Sequence, residues 1–289
     1  GLTLLLWYLL KQPSQRGFFC DDESIRYPVP ASQTVSDEVL ALGSLGVPIF
    51  VIIVTEISRS GLTHPTSLVL LGWTPQVWMV QCYAYIGWFL FGGGMETLTV
   101  ELGKRVVGRL RPHFLAACLP VGFNCSGASH EYVTDYTCTG DPDVVNTARL
   151  SFPSGHASLS FYAATFIVMY LQIRMVWESS KLLKHLMQFL VVMAAWFIAL
   201  TRVSDYMHHW SDVLAGMVIG TLFGIVTVSW NDTAELSHSL CFWWVISHAS
   251  PCTSKCTSVK SNFAVNPLLS NITHTAKLPG PPVFLLFTF

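Results

Sequence analysis

Two histidines and three cations stand at fixed spacings in three short clusters of this chain, with the chemistry to bind a phosphoryl group and attack it. The first cluster, 104–112, reads KRVVGRLRP. Lys104 and Arg111 are seven residues apart, so on a helix of about 100° per residue they return to nearly one face. Both can then enter one pocket, the guanidinium as a planar fork for phosphate oxygens and the ammonium as a point charge. Pro112 marks where that helix should stop. Ordinary snorkelling of Lys and Arg at a helix end is the plainer alternative for this cluster alone. The second cluster is Pro153-Ser154-Gly155-His156. Gly155 lets backbone approach an anion, and the free amides of a helix N-terminus bind phosphate. Ser154 also serves as an N-cap, and His156 can donate a proton near neutral pH. The third cluster, 201–212, reads TRVSDYMHHWSD. Arg202 offers another phosphate clamp. His208 and Asp212, four apart, share a face if the turn is helical. A carboxylate accepting one imidazole N–H fixes the tautomer and frees the other nitrogen to attack. His209 would then point about 100° away, which makes it interfacial or structural. Ser204 and Asp205 read as polar groups of a loop.

These clusters need elements that hold them, and the composition says what kind. Of 289 residues, 52% are hydrophobic and 11% charged, against roughly 25% charged in a soluble domain. The mean hydropathy is +0.49. The net charge of −1 gives no reason to expect a nucleic-acid partner. Runs at 39–55, 74–95, 157–173, 186–201 and 213–230 contain no charged residue, and each approaches the ~17–25 residues a helix needs to cross a bilayer. A shorter apolar run, Leu2 to Leu10, is read as a first span truncated at its N-terminal end. A cleaved signal peptide is the alternative, although no small-residue cleavage site follows. The expectation is an all-α, polytopic membrane bundle of six transmembrane helices over residues 1–230. A cytosolic, disordered tail is expected over 231–289, where Ser, Thr, Asn and Pro mix without periodicity.

Successive spans alternate in direction, so all three clusters should meet at one face of the membrane. Asn124-Cys125-Ser126 is a glycosylation sequon in the loop between the first two clusters, usable only on the lumenal or extracellular side. Cys20, Cys118, Cys125 and Cys138 fall on that same side and can form disulfides there. Lys104, Arg105, Arg109, Arg111, Arg149 and Arg202 on this face run against the positive-inside tendency, as a functional demand for cations would. Arg174, Lys181 and Lys184 suit the cytosolic side. The sequons at Asn231 and Asn271 should be silent. No carboxylate cluster offers a metal cage. Gly216, Gly220 and Gly224 form a small-residue ladder, either for packing inside the bundle or for a seam in a homo-oligomer. Gly92-Gly93-Gly94 suits a bend or a tight approach.

Together the clusters resemble the type-2 phosphatidic acid phosphatase superfamily, with its pattern K-x6-RP, PSGH and S-R-x5-H-x3-D. Thr201 stands where the family usually has Ser, and a hydroxyl is retained. The stretches QRGFFCDDESIRYP (15–28), GRLRPHF (108–114), RLSFPSGHAS (149–158) and RVSDYMHHWSDVLAG (202–216) are similar to those of animal lipid phosphate phosphatases. The resemblance covers about residues 5–230. It implies metal- and cofactor-independent hydrolysis of membrane lipid phosphates, at the plasma membrane with an extracellular site or in a lumen. It implies His208 as nucleophile, Asp212 orienting it, and His156 as general acid and then base. Lys104, Arg111, Ser154, Gly155 and Arg202 would hold the phosphate. Rival readings are a vanadium haloperoxidase, which the spans oppose, a sugar-phosphate phosphatase, and a non-catalytic lipid-phosphate-binding scaffold. Intact motif residues oppose the last.

Overall fold

The computed structural model describes residues 14–60, 75–122, 131–175 and 181–231. The truncated first span, Asn124 and the tail beyond residue 231 lie outside the described residues. Helix α1 (Asp37–Arg59) starts where Ser36 accepts a hydrogen bond from the Val39 amide, with Asp37 and Glu38 favourably placed in the first turn. It widens into a π turn over Leu42–Gly46. Helix α2 (Val77–Val107) ends at Gly108, which takes φ 58° and caps back to the Lys104 carbonyl. That left-handed conformation is the one glycine supplies at a helix end. Helix α3 (Phe114–Cys118) and α4 (Pro142–Ala148, capped by Asp141) are short. Helix α5 (Gly155–Arg174) is capped by Ser154. Helices α6 (Lys181–Ser204) and α7 (Trp210–Asn231) complete the bundle.

Four of these helices are long and apolar enough to cross a membrane: α1, α5, Leu182–Ser204 and Trp210–Trp230. This is a helical integral membrane protein. Helix α2, at 31 residues, is also long enough. It is not among the four because Gln81, its tyrosines and the triple glycine dilute its hydropathy. Helix α5 is the hub. It packs most extensively on α7 and also on α6, α2 and α1, while α1–α2, α2–α7 and α7–α6 are neighbours around it. Its most apolar window is 61% buried, against 22–33% for the other three.

The glycine ladder makes the α5–α7 approach possible. A Cβ at Gly220 would lie 2.0 Å from the Ser158 carbonyl oxygen, and one at Gly216 would lie 2.5 Å from that of Ser154. The ladder therefore packs inside the bundle. Gly92 serves the same purpose for α2, where a Cβ would meet Thr227 at 2.2 Å. The core fills with Tyr85, Phe89, Tyr162, Phe166 and Tyr170. At one end of the bundle, Arg174 grips Glu56 through two bonds of 2.8 and 2.9 Å, and Tyr170 joins them at 2.9 Å. At the opposite end sits a small cap. Two-residue antiparallel ladders pair β1 (Phe18–Phe19) with β3 (Tyr132–Val133), and β2 (Pro120–Val121) with β4 (Thr137–Cys138). Phe18, Phe114, Val145 and the Cys118–Cys138 disulfide form its core. Cys20 is also disulfide-bonded.

Candidate active site

All three clusters meet at the capped end. Lys104 ends the last turn of α2 with Nζ 2.6 Å from Glu101. A Cβ on Gly155 would lie 3.2 Å from that ammonium nitrogen, so the first two clusters meet closely there. Arg111 is not on the helix. Its expected alignment with Lys104 on one helical face fails because α2 stops at Val107 and Gly108 turns the chain. The turn delivers it by another route: the Arg111 amide bonds the Ala148 carbonyl at 2.8 Å. The side chain is buried, Nη1 reaches only the Met207 sulfur at 3.7 Å, and Nε has no hydrogen-bond partner among the described residues. Burial pushes this guanidinium down to about 10, with Arg202 adding to the effect and Asp37 and Asp212 opposing it.

Ser154 is fully buried, and its amide donates to the Asp212 carbonyl at 3.0 Å, which joins the second cluster to the third. His156, in the first turn of α5, lies 3.6 Å from Asp37 of α1, and its Nε2 has no hydrogen-bond partner among the described residues. Arg202 is fully buried at the end of α6. It donates to Gln33 at 2.9 Å, to the Thr201 hydroxyl at 3.3 and 3.1 Å, and to Asp205 at 3.1 Å. Asp205 is thus more than a loop polar group. It also accepts the Thr34 amide at 2.9 Å and hydroxyl at 2.7 Å, pinning the segment before α1 across the site.

The third cluster departs from the helical-turn expectation. Helix α7 begins at Trp210, so His208 sits in the preceding turn and shares no helical face with Asp212. The His208 Nδ1 faces the Ser151 carbonyl at 2.6 Å. A carbonyl only accepts, so Nδ1 carries the proton and Nε2 is left with its lone pair. The Asp212 carboxylate is fully buried. It accepts from Ser151 Oγ at 2.6 Å, Arg109 at 2.5 Å and the His209 amide at 3.2 Å. Asp212 therefore holds His208 indirectly, through Ser151. His209 bonds the Leu110 carbonyl at 3.0 Å, a structural link between the first and third clusters.

His208 is driven well below the ordinary histidine range, chiefly by burial and then by the nearby positive charge of Arg111, with Lys104 and His156 adding. The imidazole is thus a neutral base near pH 7. Sequence reasoning missed Ser151, Gln33 and Thr34, took Asp205 for a loop polar group, and counted Arg109 among the cations of this face without giving it a role. Arg109 and Ser151 lay inside or beside clusters already singled out, whereas nothing in the spacing marked Gln33 or Thr34.

Fold and site define a class: a helical membrane protein whose one end carries a buried cluster of cations around a neutral histidine. Residues 85–235 match the PAP2 superfamily, and the chain belongs to that superfamily. It is 42% identical over 246 residues to a putative phosphatidate phosphatase of Drosophila melanogaster, covering 80% of this chain and 65% of that protein's length. It is 37% identical to phospholipid phosphatase 1 of Mus musculus, covering 83% of each chain. It is 37% identical to mouse phospholipid phosphatase 2, covering 79% and 80%. No solved structure matches the chain.

Proposed function

We propose that this protein hydrolyses lipid phosphate monoesters through a phosphohistidine, without a metal, at the extracellular or lumenal leaflet of the plasma membrane or an internal one. Phosphatidate, lysophosphatidate, sphingosine 1-phosphate and ceramide 1-phosphate are the substrate class. The names of the relatives support dephosphorylation of lipid phosphates. The observation that carries the mechanism is the tautomer of His208: Nδ1–H is held by the Ser151 carbonyl, leaving a neutral Nε2 among cations.

In the first step Nε2 of His208 attacks phosphorus, and the bond from phosphorus to the alcohol oxygen breaks. His156 gives its proton to that oxygen, and the phosphate's negative charge beside it favours the protonated ring. In the second step water attacks the phosphohistidine while His156 takes a proton. Inorganic phosphate leaves and both rings are restored. Lys104, Arg111 and Arg202, with Ser154 and the Gly155 amide, stabilise charge on the three transferring oxygens. Fixed cations at those positions take the role a metal would otherwise fill.

The deciding experiment uses purified protein in detergent with chelator present. His208→Ala should lose both turnover and trapped phosphoenzyme. His156→Ala should lose lipid turnover by roughly 10²–10⁴-fold yet still form phosphohistidine from p-nitrophenyl phosphate, whose leaving group needs no acid. Turnover that vanishes with EDTA and returns with Mg²⁺, or phosphoenzyme in His208→Ala, would refute the reading.

A further inference from the structure

Among the described residues, the helices around α5 do not close a complete ring. Helices α1 and α6 each pack on α5 but form no substantial contact with each other. Between them runs a groove of about 130 Å³, floored by Ser160, Ala163 and Ala164 of α5 and rimmed by Gly43 and Val47 of α1 and Ala194 of α6. Its lining is mostly apolar and includes Ile167, Val191 and Ile198. The floor lies on the same face of α5 as His156. Ser160, Ala163, Ala164 and Ile167 follow His156 at four, seven, eight and eleven residues, one face of one helix. The stripe descends about 16 Å from His156, and its upper end is flanked by Asp37, 3.6 Å from the His156 ring.

The π turn of α1 lies on this groove. It turns Ser44 inward, where it is buried, and presents Gly43 at the rim. Such turns recur at functional sites. Phe50 of α1 and Leu190 of α6, on the two flanking helices, are exposed among the described residues, as side chains facing hydrocarbon would be.

We propose that this groove seats an acyl chain of the lipid whose phosphate occupies the site, an inference that rests on the phosphatase reading above. His156 is the group that protonates the leaving alcohol. The acyl chain belongs to that leaving alcohol, so it must depart on the His156 side, and the groove lies on that face of α5 from Ser160, one turn from His156. Moving a chain from lipid into an apolar groove gains little hydrophobic free energy, since lipid is equally apolar. The groove therefore acts by positioning: it aligns the ester oxygen with His156 and the phosphorus with His208.

The test fills the groove without disturbing the bundle. A Cβ at Gly43 would meet nothing within 4 Å, and Ala194 is exposed, so Gly43→Phe and Ala194→Phe have room to fold. kcat/KM is measured for phosphatidates of increasing chain length in mixed micelles and for p-nitrophenyl phosphate, which has no chain. Each variant should lose about tenfold or more on long-chain lipid, a misalignment effect, and stay within about twofold of wild type on p-nitrophenyl phosphate. A photoreactive group placed in the acyl chain should label Val47 or Ala164 in wild type and not in Gly43→Phe. Unchanged chain-length dependence in both variants would overturn the proposal. So would equal losses on both substrates, or a change of oligomeric mass in Gly43→Phe with no chain-length effect, which would assign the groove to a second copy. A wild-type protein inactive on every phosphate monoester would refute the phosphatase reading itself, and the groove's occupant with it.

Discussion

Arg111 is the cation most exposed to a trade between stability and function, and Arg111→Met should reveal it. The guanidinium is 7% exposed and has a thioether as its hydrogen-bond partner. Lys104, Arg109 and Arg202, by contrast, each contact a carboxylate. A pKa pushed down to about 10 means the charged form is held at a cost of about 3 kcal/mol, at ~1.36 kcal/mol per pKa unit. An arriving phosphate offsets that cost; the empty pocket does not. Methionine has similar length, carries no charge and would pack beside Met207. Replacing buried ionic groups by apolar ones is often stabilising by about 1–4 kcal/mol, and for a chain of this size ~1 kcal/mol moves Tm by about 2–4 °C. Arg111→Met should therefore melt several degrees above wild type in detergent, followed by tryptophan fluorescence. Vanadate at a hundredfold excess over its Kd should stabilise wild type by about 2.7 kcal/mol and the variant far less. Lipid-phosphate turnover should fall by about 10²–10³-fold. A variant that melts below wild type, together with equal vanadate stabilisation of both proteins, would show that Arg111 is a structural residue and refute the reasoning.

Ser151→Ala keeps the carbonyl that faces His208 but removes the hydroxyl bound to Asp212. A bond to a charged group is worth ~1.5–3 kcal/mol, so kcat should drop by about 10–100-fold with KM little changed, and Ser151→Thr should recover part of it. Loss of KM alone would contradict the positioning role. Burial lowers both His208 and His113 from 6.5, so the folded state takes up their protons less readily than the unfolded chain. Their stabilisation is complete above pH ~6.5 and is lost progressively as pH falls below it. Melting temperature between pH 7.5 and 4.5 should fall less steeply in His113→Gln than in wild type; parallel curves would refute this. Gly220→Val should destabilise by about 3 kcal/mol or more, because the added carbon meets Ser158 and Tyr162 backbone. A wild-type melting temperature for Gly220→Val would show that the helices can part at no cost.

The parts legible in the sequence were those governed by short-range rules. Apolar runs located the spans, Ser154 read as a cap became one, and alternation of direction brought residues 104, 154 and 208 to one end. The helical-face argument for Lys104 and Arg111, and for His208 and Asp212, failed for a shared reason. Both pairs straddle a helix terminus, where the angle between successive side chains is set by a turn rather than by 3.6 residues per turn. At the first terminus the turn is Gly108 in the left-handed region; at the second, α7 begins only at Trp210, so His208 lies before the helix and Asp212 within it. The bonds of Gln33, Thr34 and Arg109 to the third cluster span 102 to 171 residues. No periodicity reports on contacts of that range.

The hub position of α5 bears on how the chain reaches its membrane. Its mean hydropathy of 1.2 is the lowest of the four spans, against 1.9–2.2 for the others, because it carries Ser158, Ser160, Tyr162 and Tyr170. Lipid is a poor solvent for that surface; α2 and α1 cover part of it, and the most extensive contact comes from α7, synthesised last. A nascent chain paused before residue 210 would therefore leave uncovered the face of α5 that the α7 glycines meet at Ser154 and Ser158, a ready signal for quality control. Substitutions along the α7 glycines should then deplete the protein from the membrane before they slow any surviving molecule, and disease or laboratory variants there would be misread as catalytic if abundance were not measured first.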